Sequence, residues 1–83
     1  MLLFPFKIWK MLTLDKAKLD KIYTIIRVTT DWRNTQNLGN LGIYPGVQIK
    51  LIQRMHDLYR VAVGIATYVF SESTCKNIHL MPV

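Results

Sequence analysis

The chain has 83 residues, 51% of them apolar and only 19% charged, with a formal net charge of +6. That describes one domain with a single small core and excludes a disordered chain. The positive charge argues only weakly for nucleic acid or an anionic membrane, because it is scattered. Residues 1–33 carry seven basic against three acidic side chains and residues 34–83 carry four against two, with no Lys/Arg cluster on a reading helix. So few charges leave room for an exposed apolar patch, hence for a partner.

Residues 1–10 form an apolar and basic N-terminal extension. The stretch Met1-Leu-Leu-Phe-Pro-Phe-Lys-Ile-Trp-Lys10 is far shorter than the ~20 apolar residues of a membrane-spanning helix. Lys7 and Lys10 lie within it, Pro5 breaks it, and no small-residue cleavage site follows, so it does not read as a signal peptide. An added strand and a membrane-surface anchor through Phe4, Phe6, Ile8 and Trp9 are the alternatives to a loosely packed extension. The domain proper is read as residues 11–83, opening at Met11-Leu-Thr-Leu14.

Along that domain, Asp15 to Asp20 is polar and suits one turn before a strand. Lys21 to Thr30 is rich in β-branched residues and reads as the first strand, with Ile22, Thr24, Ile26 and Val28 as its inward face. Asp31 to Thr35 reads as a turn, after which Asn34 or Thr35 caps a short helix reaching about Leu41. Leu38 and Leu41, three apart, would share a face toward the core, and Gly42 stops the helix. Tyr44-Pro45-Gly46 predicts a type II turn: Pro45 fixes φ and Gly46 supplies a positive one.

The next strand, 47–53, alternates cleanly, with Val47, Ile49 and Leu51 inward and Gln48 and Lys50 outward. Arg54 to Leu58 reads as a loop, and Tyr59, Val61 and Val63 as the inward side of a further strand. Gly64 marks a tight turn into strand 65–70; Ser71 caps one helical turn through Lys76; and Ile78 to Val83 closes the sheet with Ile78 and Leu80 inward and His79 outward. The expected fold class is therefore mostly β, a small five-stranded barrel with one or two short helices.

Nothing in this pattern assembles catalytic chemistry. His56-Asp57 is the nearest approach to an acid/base pair, but neighbours in a turn do not place a base on a nucleophile. His56, His79, Cys75 and Asp57 lack metal-ligand spacing, and Gly39, Gly42, Pro45 and Gly46 lack the Gly-Lys-Ser/Thr ending of a phosphate loop. No catalytic residue, metal or cofactor is implied. Cys75 is the single cysteine, which requires no oxidising compartment and reads as a structural thiol in a cytoplasmic protein.

The run Leu38-Gly-Asn-Leu-Gly-Ile-Tyr-Pro-Gly-Val-Gln-Ile-Lys-Leu51 resembles the FeoA family, whose pattern is roughly Leu-x-x-Leu-Gly-Ile-x-Pro-Gly-x-x-Ile/Val. Leu38, Leu41, Gly42, Ile43, Pro45, Gly46 and Ile49 stand at matching positions, and Met11-Leu-Thr-Leu14 and Cys75 to Leu80 are similar to the family's ends. Asp20-Lys21, Gln36-Asn37, Val69-Phe70 and Ser71 depart from it, replacing a Pro-Gly, basic residues, an Ala-Leu and an Arg.

The resemblance implies an SH3-like barrel and a bacterial accessory protein of ferrous iron uptake. Such a protein would act by binding the cytoplasmic part of the FeoB GTPase-permease, with no nucleic acid and no insertion into the membrane. Candidate contacts lie around the corner 38–46 and the segment 54–58, with Tyr44, Lys50, Arg54 and Arg60 as partner-facing side chains. The alternatives are a basic barrel binding nucleic acid and a metal-responsive module. Edge strands leave a homodimer open.

Overall fold

A computed structural model describes residues 10–83. The expectations for the N-terminal extension therefore fall, except at the exposed Lys10, outside the described residues. Nine elements follow in order: β1 (Leu12–Thr13), a 3-10 turn (Leu14–Lys16), β2 (Ile22–Val28), α1 (Trp32–Asn40), β3 (Gln48–Met55), β4 (Leu58–Val63), β5 (Ala66–Ser71), α2 (Glu72–Cys75) and β6 (Ile78–Pro82). The strands form one antiparallel sheet in the order β1-β6-β2-β3-β4-β5. The five expected strands are present, and Leu12–Thr13 adds a sixth by pairing with Leu80 and His79.

The inner face holds the core. Tyr23, Ile25, Ile49, Leu51, Tyr59, Val61, Ile78 and Leu80 are buried there, together with Leu14, Leu38, Ile43 and Cys75. Alternation identified the inward residues of β3, β4 and β6. It misread β2. Tyr23 and Ile25 point inward, while Ile22 is 47% exposed. Both phases carry large apolar residues until Arg27, with Thr24 the one polar interruption, so alternation separates the faces poorly. An irregularity between Ile25 and Arg27 then flips the phase, returning Val28 to the core opposite Ile78.

Two loop assignments also change. Asp31 to Thr35 is helical from Trp32, because Asp31 is the N-cap: its carboxylate accepts from the Asn34 backbone N–H at 2.8 Å. Neither Asn34 nor Thr35 caps the helix. Arg54 and Met55 belong to β3, and the hairpin turns on His56 and Asp57 alone, with His56 at φ 54°. The second hairpin turns on Gly64 (φ 59°) and Ile65.

The corner 38–46 consists of two successive turn motifs. Ile43 donates its backbone N–H to the Leu38 carbonyl at 2.9 Å and Gly42 to the Gly39 carbonyl at 3.0 Å, with Gly42 at φ 89°. This is a Schellman ending, and its usual apolar contact is supplied by Leu38 and Ile43, both buried. The type II turn follows directly: Val47 donates to the Tyr44 carbonyl at 3.2 Å and Gly46 stands at φ 97°. Leu41, expected beside Leu38 on the core, is instead 40% exposed, because it is the residue at which the chain leaves the helix. The corner is tied down by β2, with Gly46 donating to Ile25 at 2.7 Å and Ile25 to Val47 at 2.8 Å.

Candidate partner surface

Strict alternation along β3 would put Lys50 and Arg54 on the same outer face. The register excludes this. Leu51 pairs with Val61, but Gln53, not Ile52, is next in register, opposite Arg60. The extra residue at Ile52 is a bulge, and beyond it Arg54 shares the side of the buried Tyr59, opposite it, while itself staying exposed at the open end of the strand pair. The Arg54 guanidinium lies 5.7 Å from the Tyr59 ring centroid, and its Nη2 donates to the carbonyls of Asp15 (3.1 Å) and Ala17. Arg54 thus ties the segment after β1 to the end of the β3–β4 hairpin.

Lys50 and Arg60 do share the outer face. Lys50 pairs with Ile22 on one side and Ala62 on the other, and Arg60 follows two residues from Ala62 on the same side of β4. Around them Ile22 and Leu58 are exposed apolar side chains, and Val69 lies opposite Arg60 on β5. Two cations set into an apolar face are suited to an acidic and apolar protein surface. Ile22 was not legible as part of it, because the phase of β2 was not. Tyr44 is exposed at the corner, before β3 begins.

A second concavity of about 340 Å³ lies between α1 and the β5–α2 segment. Leu38, Leu41 and Phe70 supply its apolar lining, with Asn34, Asn37 and Asn77 around them. Tyr68 donates its hydroxyl to the Leu41 carbonyl at 2.9 Å, which links β5 to the end of α1.

The titratable side chains do not converge. Nδ1 of His56 stands 3.7 Å from Asp57, and both side chains are open to solvent in the hairpin turn. His79 accepts or donates at 2.8 Å to the Thr29 hydroxyl; burial and then the nearby Arg27 lower its pKa. The Cys75 thiol is buried in the core and pushed up to about 12, chiefly by desolvation, with Asp15 and Glu72 adding to the effect. At neutral pH it is a thiol and a poor nucleophile. Among the described residues no three His, Cys, Asp or Glu side chains come together, and no helix is long and apolar enough to cross a membrane.

A six-stranded antiparallel sheet with short helices at its turns places the chain among the small SH3-like barrels. Its sequence matches the FeoA domain over residues 12–82, and the chain belongs to that family. The solved structures it is similar to include an iron uptake regulatory protein, FeoA (12% identity, TM-score 0.81, covering 88% of this chain and 99% of that one). Another is the FeoA protein of Chlorobium tepidum (15% identity, TM-score 0.80, covering 87% and 70%). A manganese-dependent transcriptional repressor shares the fold as well (16% identity, TM-score 0.80), but the chain spans 42% of its length. Comparison with curated proteins gives no match.

Proposed function

We propose that this protein is a non-enzymatic accessory protein of bacterial ferrous iron uptake that binds the cytoplasmic portion of the membrane transporter FeoB. Membership of the FeoA family supports the pathway. The observation that carries the mode of action is the outer face of β3 and β4, where Lys50 and Arg60 stand beside the exposed Ile22 and Leu58. Such a face binds through apolar contact and is oriented by charge.

The test is titration of the full chain against the transporter's cytoplasmic GTPase portion, with and without guanine nucleotide. Saturable binding that the Lys50→Glu/Arg60→Glu double variant weakens at least about tenfold supports the reading. Absence of binding at protein concentrations of tens of micromolar overturns it. Binding to DNA or RNA with a steep salt dependence would instead favour a nucleic-acid module.

A further inference from the structure

The two edges of the sheet are managed differently. One ends in β1, two residues long. The other ends in β5, six residues reading Ala66-Thr-Tyr-Val-Phe-Ser71, with no charge, no proline and no bulge in its pairing with β4. Short strands, lysines, prolines and bulges are the usual guards of a sheet edge, and β5 has none of them.

The backbone groups at that edge can be assigned. Leu58 pairs with Ser71, so the ladder continues to Asp57 and Glu72, and Glu72 donates to the Asp57 carbonyl at 2.9 Å. Hydrogen-bonded positions alternate along an antiparallel ladder, so Ala66, Tyr68 and Phe70 also face β4 with their N–H and C=O groups. Thr67 and Val69 therefore present theirs to the free edge, and so does the N–H of Ser71, whose carbonyl opens α2 as its N-cap; among the described residues the edge groups of Thr67 and Val69 and the Ser71 N–H have no backbone partner.

We infer that this edge pairs with the same edge of a second copy, antiparallel and with its two-fold axis at Val69. In that register Val69 meets Val69, Thr67 meets Ser71, and Tyr68 meets Phe70. Val69 on Val69 and Tyr68 on Phe70 are favourable cross-strand pairs, apolar on apolar and aromatic on aromatic, and Thr67 meets Ser71 as one small polar residue on another, the Ser71 hydroxyl being held by the Thr74 N–H. The inner and outer faces stay in phase across the junction, because Tyr68 and Phe70 are the partly buried side chains packed against the core. Phe70 also lines the cleft beside α1, so the partner's aromatic arrives next to existing apolar surface.

Charge does not oppose the junction locally. The nearest outer-face cation, Arg60, lies one strand in from the edge, so its counterpart is three strand spacings away, about 14 Å. That exceeds the screening length at physiological salt. The net charge of +6 on each copy remains a weak long-range repulsion, so pairing strengthens with added salt. The dimer leaves both copies of the Lys50–Arg60 face open, and the inference is independent of which partner that face binds.

The experiment is sedimentation equilibrium of the full chain from micromolar to about millimolar concentration, paired with amide hydrogen exchange read residue by residue. The inference expects a reversible dimer whose formation slows exchange at Thr67, Val69 and Ser71 and leaves Tyr68 and Phe70 unchanged. Val69→Lys, which sets two cations directly opposite each other, weakens the dimer by at least about tenfold. Thr67→Lys is the second variant, used if the first fails to fold. A chain that stays monomeric, a dimer indifferent to both folded variants, or a dimer without protection at those three amides overturns the inference. Protection that arises in a monomer only on adding the transporter's cytoplasmic portion also overturns it, and assigns the edge to that partner instead.

Discussion

Lys50 and Arg54 stand four residues apart on one strand and carry the same charge, yet they do different work. Before the Ile52 bulge, Lys50 faces out, half-buried between Ile22 and Ala62. After it, Arg54 turns over the barrel end, stacks on Tyr59 and holds the carbonyls of Asp15 and Ala17. The bulge in β2 acts in the same way, turning Arg27 out beside His79. The sign of a strand charge states what it can bind, but register decides whether it recognises a partner or braces the fold.

Removing the Arg54 guanidinium breaks the comparison most severely. Arg54→Ala should cost roughly 1–2 kcal/mol, the low part of the range for charge-assisted hydrogen bonds because the side chain is exposed, while transporter binding by the folded fraction stays unchanged. Arg54→Lys should recover only part of this, since an ammonium lacks the planar fork. A neutral Arg54→Ala would show the brace to be idle.

The outer half should show the reverse. Lys50→Glu/Arg60→Glu is expected to move stability by no more than about 0.5 kcal/mol while it weakens binding. A large loss of stability there would mean that these side chains support the sheet. The smallest effect belongs to the β2–β6 seam. Burial and Arg27 lower the His79 pKa in the folded chain, so the unfolded chain takes up the proton first as pH falls below about 6.5. Stability contributed by the neutral imidazole is then lost through the acid side until the lowered folded value is passed. His79→Gln should flatten that part of a stability-versus-pH curve, and an unchanged slope would remove His79 from the account.

Much of the fold could be read directly. Val47, Ile49 and Leu51 alternate with polar residues, as do Tyr59, Val61 and Val63, and each set is inward or packed on the core. The corner was legible because Gly42 and Gly46 occupy positive-φ positions, at 89° and 97°, that other residues adopt only under strain. β2 resisted because Ile22 to Ile26 has large apolar residues on both sides and only Thr24 to separate them, so alternation carries little information there. Of the four candidate partner residues, Lys50 and Arg60 share a face, Tyr44 stands apart at the corner, and Arg54 is engaged within the chain. The cleft beside α1 left no linear signature, because its walls come from segments some thirty residues apart.

By itself the sequence determined most of the element types, the two turn motifs of the corner and the family, since each rests on local backbone preferences or on residue spacing. Only the tertiary structure decided which face each strand turns inward, what Arg54 holds, and which backbone groups remain unpaired at β5. Those depend on pairing between distant segments, where one inserted residue inverts every side chain that follows it.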